Sequence, residues 1–191
     1  SYGDVQTDFA LVRISDKQMQ KISDTKSPQG IVAVVPFSAT TASAPADNAE
    51  RTIYLHEIQD PGNLGTILRT LAWFGGFKCV LSPNSVDPYN PKVVRASMGA
   101  IFHVPVELDV PLSTLQTRFD SFACLDTAGA ALSAPQFGKH QCFIFGNEAR
   151  GVPREQLAGL PVESFSIQGS GILESLNLAT AVNMCAYELN R

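Results

Sequence analysis

The sequence has 191 residues, of which 45% are hydrophobic, and a formal net charge of −4 at pH 7. This length and composition predict one compact domain with a sizeable core. The acidic balance argues against a protein that holds nucleic acid by bulk electrostatics, because neutralising phosphates normally takes a basic face. The sequence carries no signal pattern and no apolar run near the ~18 residues of a membrane helix, so we expect no membrane partner.

The four cysteines lie far apart, at Cys79, Cys124, Cys142 and Cys185. They form no CxxC pair, and no histidine stands at metal-ligand spacing, so we expect neither a metal site nor a disulfide framework. Most of them fall in apolar runs, which favours buried free thiols and a cytoplasmic location. Because the chain begins at Ser1 rather than methionine, we expect residues 1–27 to be a lead-in segment linking residues 28–191 to an absent amino-terminal domain.

Apolar runs and helical periodicity alternate along the chain. A short helix or strand is expected within Asp8–Ile22, and the β-branched run Ile31–Phe37 predicts a strand covered on both faces, followed by a mobile loop to Arg51. Further strands are predicted at Thr52–Glu57, Phe77–Leu81, His103–Val106, Phe122–Thr127, Gln141–Phe145 and Ser164–Gln168. Helices are predicted from Asn63 to Gly75, around Lys92–Met98, and at Leu112–Arg118, Arg154–Leu160 and Ser175–Leu189.

This alternation predicts an α/β domain with a mainly parallel sheet and helices on both faces. Ligand sites in such domains lie in loops beyond the carboxyl ends of the strands. Three loops therefore become candidates for the chemistry.

The first loop is DPGNLGTILR, residues 60–69. Gly62 and Gly65 can let the backbone approach a ligand, and Asn63 at the helix start can cap the helix or donate to an anion. Arg69 has a side chain long enough to reach back toward the loop. An ordinary capped helix with a surface arginine is the alternative, and spacing alone slightly favours it.

The second loop is FIFGNEARGVP, residues 143–153. It is bounded by Gly146 and Gly151 at a strand end and matches neither of the common phosphate-binding glycine patterns, which disfavours dinucleotides and triphosphates. The third loop runs through Ser164–Leu189, where Ser175 precedes an apolar helix. Ser175 can simply be its N-cap, and the absence of a GxSxG elbow argues against a serine hydrolase.

Taken together and in order, these segments resemble a known family. DPGNLGTILRTLAWFG, FIFGNEARGVP and IQGSGILESLNLATAVNMCAYE resemble motifs one, two and three of the SpoU/TrmH-type RNA methyltransferases. Ile22–Val35 also resembles the family segment that leads into the first strand, so the likeness covers nearly the whole chain. Two residues depart from the pattern: Gln168 replaces the usual proline, and Glu174 places a carboxylate before Ser175.

The resemblance implies a SPOUT-type catalytic domain at residues 28–191, with a carboxyl-terminal deep trefoil knot, acting as a homodimer. It implies S-adenosylmethionine as cofactor and the ribose 2′-hydroxyl of rRNA or tRNA as methyl acceptor. The implied cofactor-binding residues are Leu125, Thr127, Phe145, Gly146, Asn147, Gly151, Ile167 and Leu176. The implied catalytic residues are Asn63, Arg69, Glu148, Ser175 and Asn177.

Within that set, we expect Arg69 to grip the RNA phosphate and stabilise a developing alkoxide, with Asn63 orienting it. Glu148, Ser175 and Asn177 are expected to shape the loops and position the ribose. Two alternatives stay open: a non-enzymatic RNA-binding or ribosome-assembly factor that keeps the fold, and a methyltransferase that acts on protein or a small molecule. The sequence does not specify which RNA or nucleotide is modified.

Overall fold

The computed structural model describes residues 10–23, 25, 27–35 and 51–191. The chain divides into two compact units, Ser1–Ser38 and Ala39–Arg191. In the first unit, helix α1 (Asp16–Ile22) begins with a capping box. The Ser15 hydroxyl accepts a hydrogen bond from the Gln18 amide at 3.3 Å, and the Gln18 side chain accepts one from the Ser15 amide at 2.9 Å. These bonds satisfy two backbone donors that the helix itself leaves unpaired.

The second unit is built on a six-stranded sheet in which every pairing is parallel. The strand order is β3-β2-β1-β5-β4-β6. The strands are β1 (Arg51–Leu55), β2 (Phe77–Leu81), β3 (Val106–Glu107), β4 (Phe122–Ala131), β5 (Cys142–Phe145) and β6 (Val162–Ser166). The helices are α2 (Pro61–Phe74), α3 (Pro91–Ser97), the single turn α4 (Arg154–Leu157) and α5 (Leu178–Leu189), with short 3₁₀ turns at Ala100–Phe102, Leu112–Thr117 and Phe137–Lys139.

Apolar side chains cover the sheet on both faces. Alternate strand residues such as Ile53 and Phe143 belong to one cluster that includes the buried faces of α2 and α5. Their neighbours, such as Tyr54 and Ile144, belong to a second cluster with the 3₁₀ turn at Leu112–Thr117 and the segment around α4. Because adjacent strand residues point to opposite faces, a continuous apolar strand needs cover on both sides. The predicted α/β class is confirmed.

Most predicted elements are present. The β2 strand matches its prediction residue for residue, and α2 ends where the glycines indicated, with Gly75 as its C-cap. The helix or strand expected within Asp8–Ile22 is α1 over the residues that are described. All four cysteines are free and buried. Within the described residues, no helix combines the length and hydropathy needed to cross a membrane.

The strand predicted at Ile31–Phe37 is wrong over its described residues, 31–35. Residues 31–35 form no strand, and Ile31 and Val34 are exposed. A strand needs a neighbour for its ladder, and an apolar pattern alone does not supply one. Residues 36–37 and the predicted mobile loop at 38–50 lie outside the described part of the chain. The division proposed after residue 27 stays a prediction.

Two other boundaries are also corrected. The third strand of the sheet is Val106–Glu107 rather than His103–Val106, because the 3₁₀ turn at Ala100–Phe102 occupies the approach to it. The final helix begins at Leu178, three residues later than predicted. Ser175 is therefore not its N-cap, since Asn177 takes that position.

Candidate active site

Side chains from all three motif loops converge on one cleft at the carboxyl ends of the strands. The cleft has a volume of about 610 Å³, within the ~300–1,000 Å³ range of small-molecule sites. Motif one follows β1, motif two follows the neighbouring β5, and motif three follows β6, so the parallel sheet brings their loops to one edge. The lining residues are Gln59, Asp60, Asn63, Asn147, Glu148, Ala149, Ser175, Leu176, Asn177 and Leu178.

A chain of side-chain hydrogen bonds joins the three motifs within this cleft. Asn63 Nδ2 donates to Glu148 Oε1 at 3.2 Å, and Asn177 Nδ2 donates to Asn63 Oδ1 at 2.9 Å. An ionised carboxylate only accepts, so Glu148 requires the amide nitrogen of Asn63 to face it. That orientation turns the Asn63 oxygen toward Asn177. One acidic residue thus fixes the direction of both amides.

Two helix caps hold the asparagines in place. Asp60 is the N-cap of α2 and accepts a hydrogen bond from the Asn63 backbone amide at 2.7 Å, with Pro61 at the first helical position. Asn177 caps α5, since its Oδ1 accepts from the Thr180 amide at 3.2 Å. The sequence predicts that α2 starts at Asn63. The structure starts α2 at Pro61, and because Asp60 does the capping, the Asn63 side chain is available to the cleft. An acidic N-cap followed by proline is a recognisable helix start, so this signal was present in the sequence.

The motif-two loop is closed by its own residues. Asn147 and Gly151 exchange backbone hydrogen bonds of 3.0 and 2.8 Å, and the buried Asn147 Oδ1 accepts from the amides of Ala149 and Arg150. A Cβ at Gly146 would lie 2.4 Å from the carbonyl carbon of Gly151, a distance that side chains essentially never adopt. Gly146 is therefore required for the loop to fold back on itself, and this rigid loop presents Glu148 to the cleft.

A clamp that the sequence analysis did not identify ties this loop to the end of β1. Asn147 Nδ2 donates to the Glu57 carbonyl at 2.8 Å, and the Arg150 guanidinium lies 2.6 Å from the Glu57 carboxylate. Glu57 adopts a left-handed backbone conformation with φ of 49°. These contacts span about ninety residues of sequence, and no local pattern indicates them.

The predicted cofactor-binding residues occupy several positions around the same edge. Asn147 and Leu176 line the cleft, whereas Leu125, Thr127 and Ile167 do not. Leu125 and Ile167 lie at or just beyond pairing positions of the adjacent strands β4 and β6. The Phe145 side chain is 1% exposed and packs in the core, so only its backbone can contribute to a ligand site. Contact of these residues with a cofactor stays a prediction.

Arg69 lies away from the cleft that contains the other four predicted catalytic residues. It is exposed and makes no ion pair or hydrogen bond with any residue that the structure describes. Six residues after Asn63, it is rotated about 120° around α2 and displaced by about 9 Å along it. The expectation that Arg69 reaches back to the loop within its own chain is therefore not met.

Gly65 also has a different role from the one expected. A Cβ there would lie 2.4 Å from the Ala96 Cβ and 2.8 Å from the Val93 carbonyl oxygen, both in α3. Gly65 thus allows close packing of two helices rather than close approach to a ligand. Among the described residues, no cluster of three or more histidine, cysteine, aspartate or glutamate side chains could hold a metal ion.

The polar loops converge at the carboxyl ends of a parallel sheet. This arrangement is typical of ligand-binding α/β domains. Residues 50–187 match the SpoU rRNA methylase family, and the chain belongs to that family. It is 33% identical over 183 residues to an uncharacterized tRNA/rRNA methyltransferase of Synechocystis, covering 93% of this chain and 66% of that protein. It is 28% identical over 190 residues to the 23S rRNA (guanosine(2553)-2′-O)-methyltransferase RlmP of Bacillus subtilis, covering 97% and 75%.

Solved structures agree with this assignment. The crystal structure of an AdoMet-bound rRNA methyltransferase from Sinorhizobium meliloti has a TM-score of 0.68 and 28% identity to this chain. The match covers 75% of this chain and 57% of the Sinorhizobium protein. The chain therefore spans a little over half the length of that relative, and 66% of the Synechocystis one.

Proposed function

We propose that this protein transfers a methyl group from S-adenosylmethionine to a ribose 2′-hydroxyl of rRNA or tRNA. The observation that carries the proposal is the hydrogen-bond chain from Glu148 through Asn63 to Asn177, which unites the three motifs in one cleft. The name of the Bacillus relative and the AdoMet bound to the Sinorhizobium protein support it.

The residues of the cleft fit the proposed cofactor. Asp60 and Glu148 contribute carboxylates, and no lysine or arginine is among the lining residues. This charge distribution suits a sulfonium cation, which carboxylates attract and a guanidinium would repel. Leu176 and the backbone at the ends of β4 and β6 would hold the remainder of the molecule. When bound, S-adenosylmethionine supplies an activated methyl group, and the protein's contribution is to bind, orient and desolvate the reactants.

The chemical difficulty is that a ribose 2′-hydroxyl is a poor nucleophile, so its oxygen must be aligned with the methyl and its proton accepted. Glu148 is suited to accept a hydrogen bond, and then the proton, from the 2′-hydroxyl, because Asn63 occupies only its Oε1. Asn63 in turn fixes the carboxylate, so that it does not reorganise when the substrate arrives. Ser175 lines the same cleft and would position the ribose.

We further propose a homodimer in which Arg69 serves the cleft of the partner subunit. Thr66, Arg69 and Trp73 lie on one exposed face of α2, and the Trp73 side chain is 84% exposed. Met184 and Tyr187 expose further apolar area on α5, which packs against α2. An apolar face of this kind favours an interface between copies. An arginine within this interface would lie against the neighbouring subunit, where its guanidinium can bind an RNA phosphate through two hydrogen bonds.

Two further parts of the proposal concern topology and location. After the edge strand β6, the chain returns to pack α5 against α2 near the middle of the sheet, a route that supports the predicted trefoil knot. The four buried free thiols support a reducing, cytoplasmic location.

The test is to incubate the protein with methyl-labelled S-adenosylmethionine and unmodified transcripts of rRNA and tRNA. The digested RNA is then analysed for labelled nucleosides. Label in a 2′-O-methylnucleoside, lost in the Glu148→Ala variant, is the expected result. Label on a base, or on protein alone, would overturn the proposal. Tight RNA binding without cofactor binding or transfer would favour an RNA-binding or ribosome-assembly factor.

A further inference from the structure

A second cavity lies at the same edge of the sheet, beside the core cluster that contains Tyr54. Its volume is about 490 Å³. It is lined by the ends of β1 and β2 and the residues just beyond them, by the 3₁₀ turn at Leu112–Thr117, and by α4 with the segment that follows it. Nothing in the proposed reaction uses this cavity.

His56 is the residue that indicates a ligand here. The side chain lines the cavity and is 7% exposed, and its Nδ1 is buried without a hydrogen-bond partner. A buried polar atom without a partner costs free energy and calls for an explanation, such as a group that binds there. Burial lowers the pKa of His56, so the imidazole is neutral at pH 7 and offers one donor and one acceptor.

The charges of the lining residues limit which kinds of ligand the cavity can bind. Glu57 and Glu155 contribute carboxylates, and Asn84 and Gln116 contribute amides, while no lysine or arginine lines the cavity. The Arg150 guanidinium lies 2.6 Å from the Glu57 carboxylate, which neutralises it, so a phosphate or carboxylate ligand would find no unpaired counter-charge and a neutral or cationic ligand is favoured. Pro83, Pro111 and Leu160 add accessible apolar surface suited to a flat ring. Carboxylate oxygens accept well from exocyclic amino groups, as in the recognition of cytosine N4.

The cavity adjoins the candidate active site through Glu57 and through Gln59, which lines the cleft and donates from its side chain to the Asn84 carbonyl at the cavity. Glu57 lines the cavity, and its backbone carbonyl accepts a hydrogen bond from Asn147 Nδ2 at 2.8 Å. Asn147 lines the active-site cleft. A ribose in the cleft and a base in the cavity would therefore be close neighbours along one RNA strand, where unstacked bases can be splayed into pockets.

We propose that this cavity binds a cytosine of the RNA substrate, the base whose amino group carboxylates recognise, with His56 and Glu57 contacting its hydrogen-bonding edge. The inference rests on the proposed function, since it assigns the cavity to the RNA that the cleft would methylate. It assigns the binding of a base to a cavity that the three motif loops do not line.

Nuclear magnetic resonance of the full chain tests this with cytidine and uridine, which differ on one edge: cytosine has an amino group and a ring acceptor where uracil has a carbonyl and a ring N–H. Cytidine is expected to shift the His56 ring nitrogens and the Glu57 amide, with an affinity about tenfold higher than that of uridine. Gly159→Trp should abolish these shifts, because Gly159 lines the cavity and a Cβ there meets no neighbour within 4 Å. Ala158→Trp is the matched control, since the adjacent Ala158 is exposed and does not line the cavity.

Steady-state kinetics with RNA tests whether the cavity binds a base of the substrate and not only a free nucleoside. If the proposal holds, Gly159→Trp raises KM for RNA and leaves the affinity for S-adenosylmethionine unchanged, while Ala158→Trp changes neither. Absence of cytidine shifts in the wild type, equal binding of uridine, or an unchanged KM for RNA in Gly159→Trp would each overturn it. If wild type fails to bind S-adenosylmethionine, the proposed function fails instead, whatever the nucleosides do.

Discussion

The side-chain amide of Asn177 donates to the Asn63 carbonyl oxygen at 2.9 Å, across 114 residues of sequence. The same Asn63 donates to Glu148 at 3.2 Å, so its amide nitrogen acts as a donor while its amide oxygen acts as an acceptor. An isosteric residue that only accepts would satisfy one neighbour and repel the other. Asn63 is therefore the residue on which the geometry of the cleft depends.

Asn63→Asp is predicted to lower methyl transfer at neutral pH by at least about tenfold, because two carboxylates would face each other where a donor is required. Activity should partly return as the pH is lowered, since a proton on the introduced carboxyl restores a donor toward Glu148 and leaves Glu148 able to accept. Transfer assayed across pH measures this.

The matched control is Asn183→Asp in α5, which adds the same charge. It keeps the Oδ1 that accepts from Thr70 Oγ1 at 2.8 Å, so its activity should follow the wild-type pH profile. Equal activity of Asn63→Asp and wild type at neutral pH would contradict the role given to Asn63.

Gly146→Ala is predicted to destabilise the protein by about 1–3 kcal/mol, because its Cβ would overlap the Gly151 backbone and force the motif-two loop to move. Thermal or urea unfolding measures the change. Gly138→Ala is the control, since Gly138 is exposed and a Cβ there meets nothing within 4 Å. Its free energy of unfolding should be unchanged or slightly higher. Equal losses in both variants would show that Gly146 has no special packing role.

His56 predicts a loss of stability in mild acid. Burial lowers its pKa in the folded state below the ordinary value of 6.5. Well above pH 6.5 the ring is neutral in both states and contributes no pH dependence. As the pH falls below 6.5, the unfolded state binds a proton that the folded state resists, so the free energy of unfolding decreases.

Urea unfolding at pH 7.5 and pH 5.5 tests this prediction. The decrease between the two conditions should be smaller in His56→Gln than in the wild type. His103→Gln, at an exposed histidine, serves as control and should leave the decrease unchanged. The same decrease in all three proteins would contradict the assignment to His56.

Subunit mixing tests whether Arg69 acts across a dimer. Arg69→Ala and Asn63→Ala are each expected to be inactive alone. After they are mixed and allowed to exchange subunits, half of the dimers are mixed, and each of these has one cleft with an intact Asn63 and a partner's Arg69. About one quarter of wild-type activity should return in a symmetric dimer. No recovery, with exchange confirmed by mass, would mean that Arg69 does not act in the partner's cleft.

Local patterns predicted most of the elements, and the order of the motifs predicted most of the residues that line the site. The buried run Phe77–Leu81 marked β2 because its side chains are covered on both faces, and the order of the three motifs identified four residues that the structure brings to one cleft. Contacts between residues far apart in sequence leave no local pattern, so they could not be predicted. The run at residues 31–35 had a strand's composition but no ladder neighbour. The Glu57–Arg150 clamp and the cavity around His56 arise only when β1, β2 and β5 lie side by side.

Calorimetric titration with S-adenosylmethionine tests the central claim most directly, because it needs no knowledge of the RNA. The wild-type chain is predicted to bind with a dissociation constant of micromolar order, about −8 kcal/mol. Ala149→Trp, which would fill the cleft from its exposed rim, should lose binding, and Ala158→Trp, outside the cleft, should keep it. No heat of binding from folded wild-type protein, or equal binding by Ala149→Trp, would contradict the assignment of this cleft as the cofactor site of a methyltransferase.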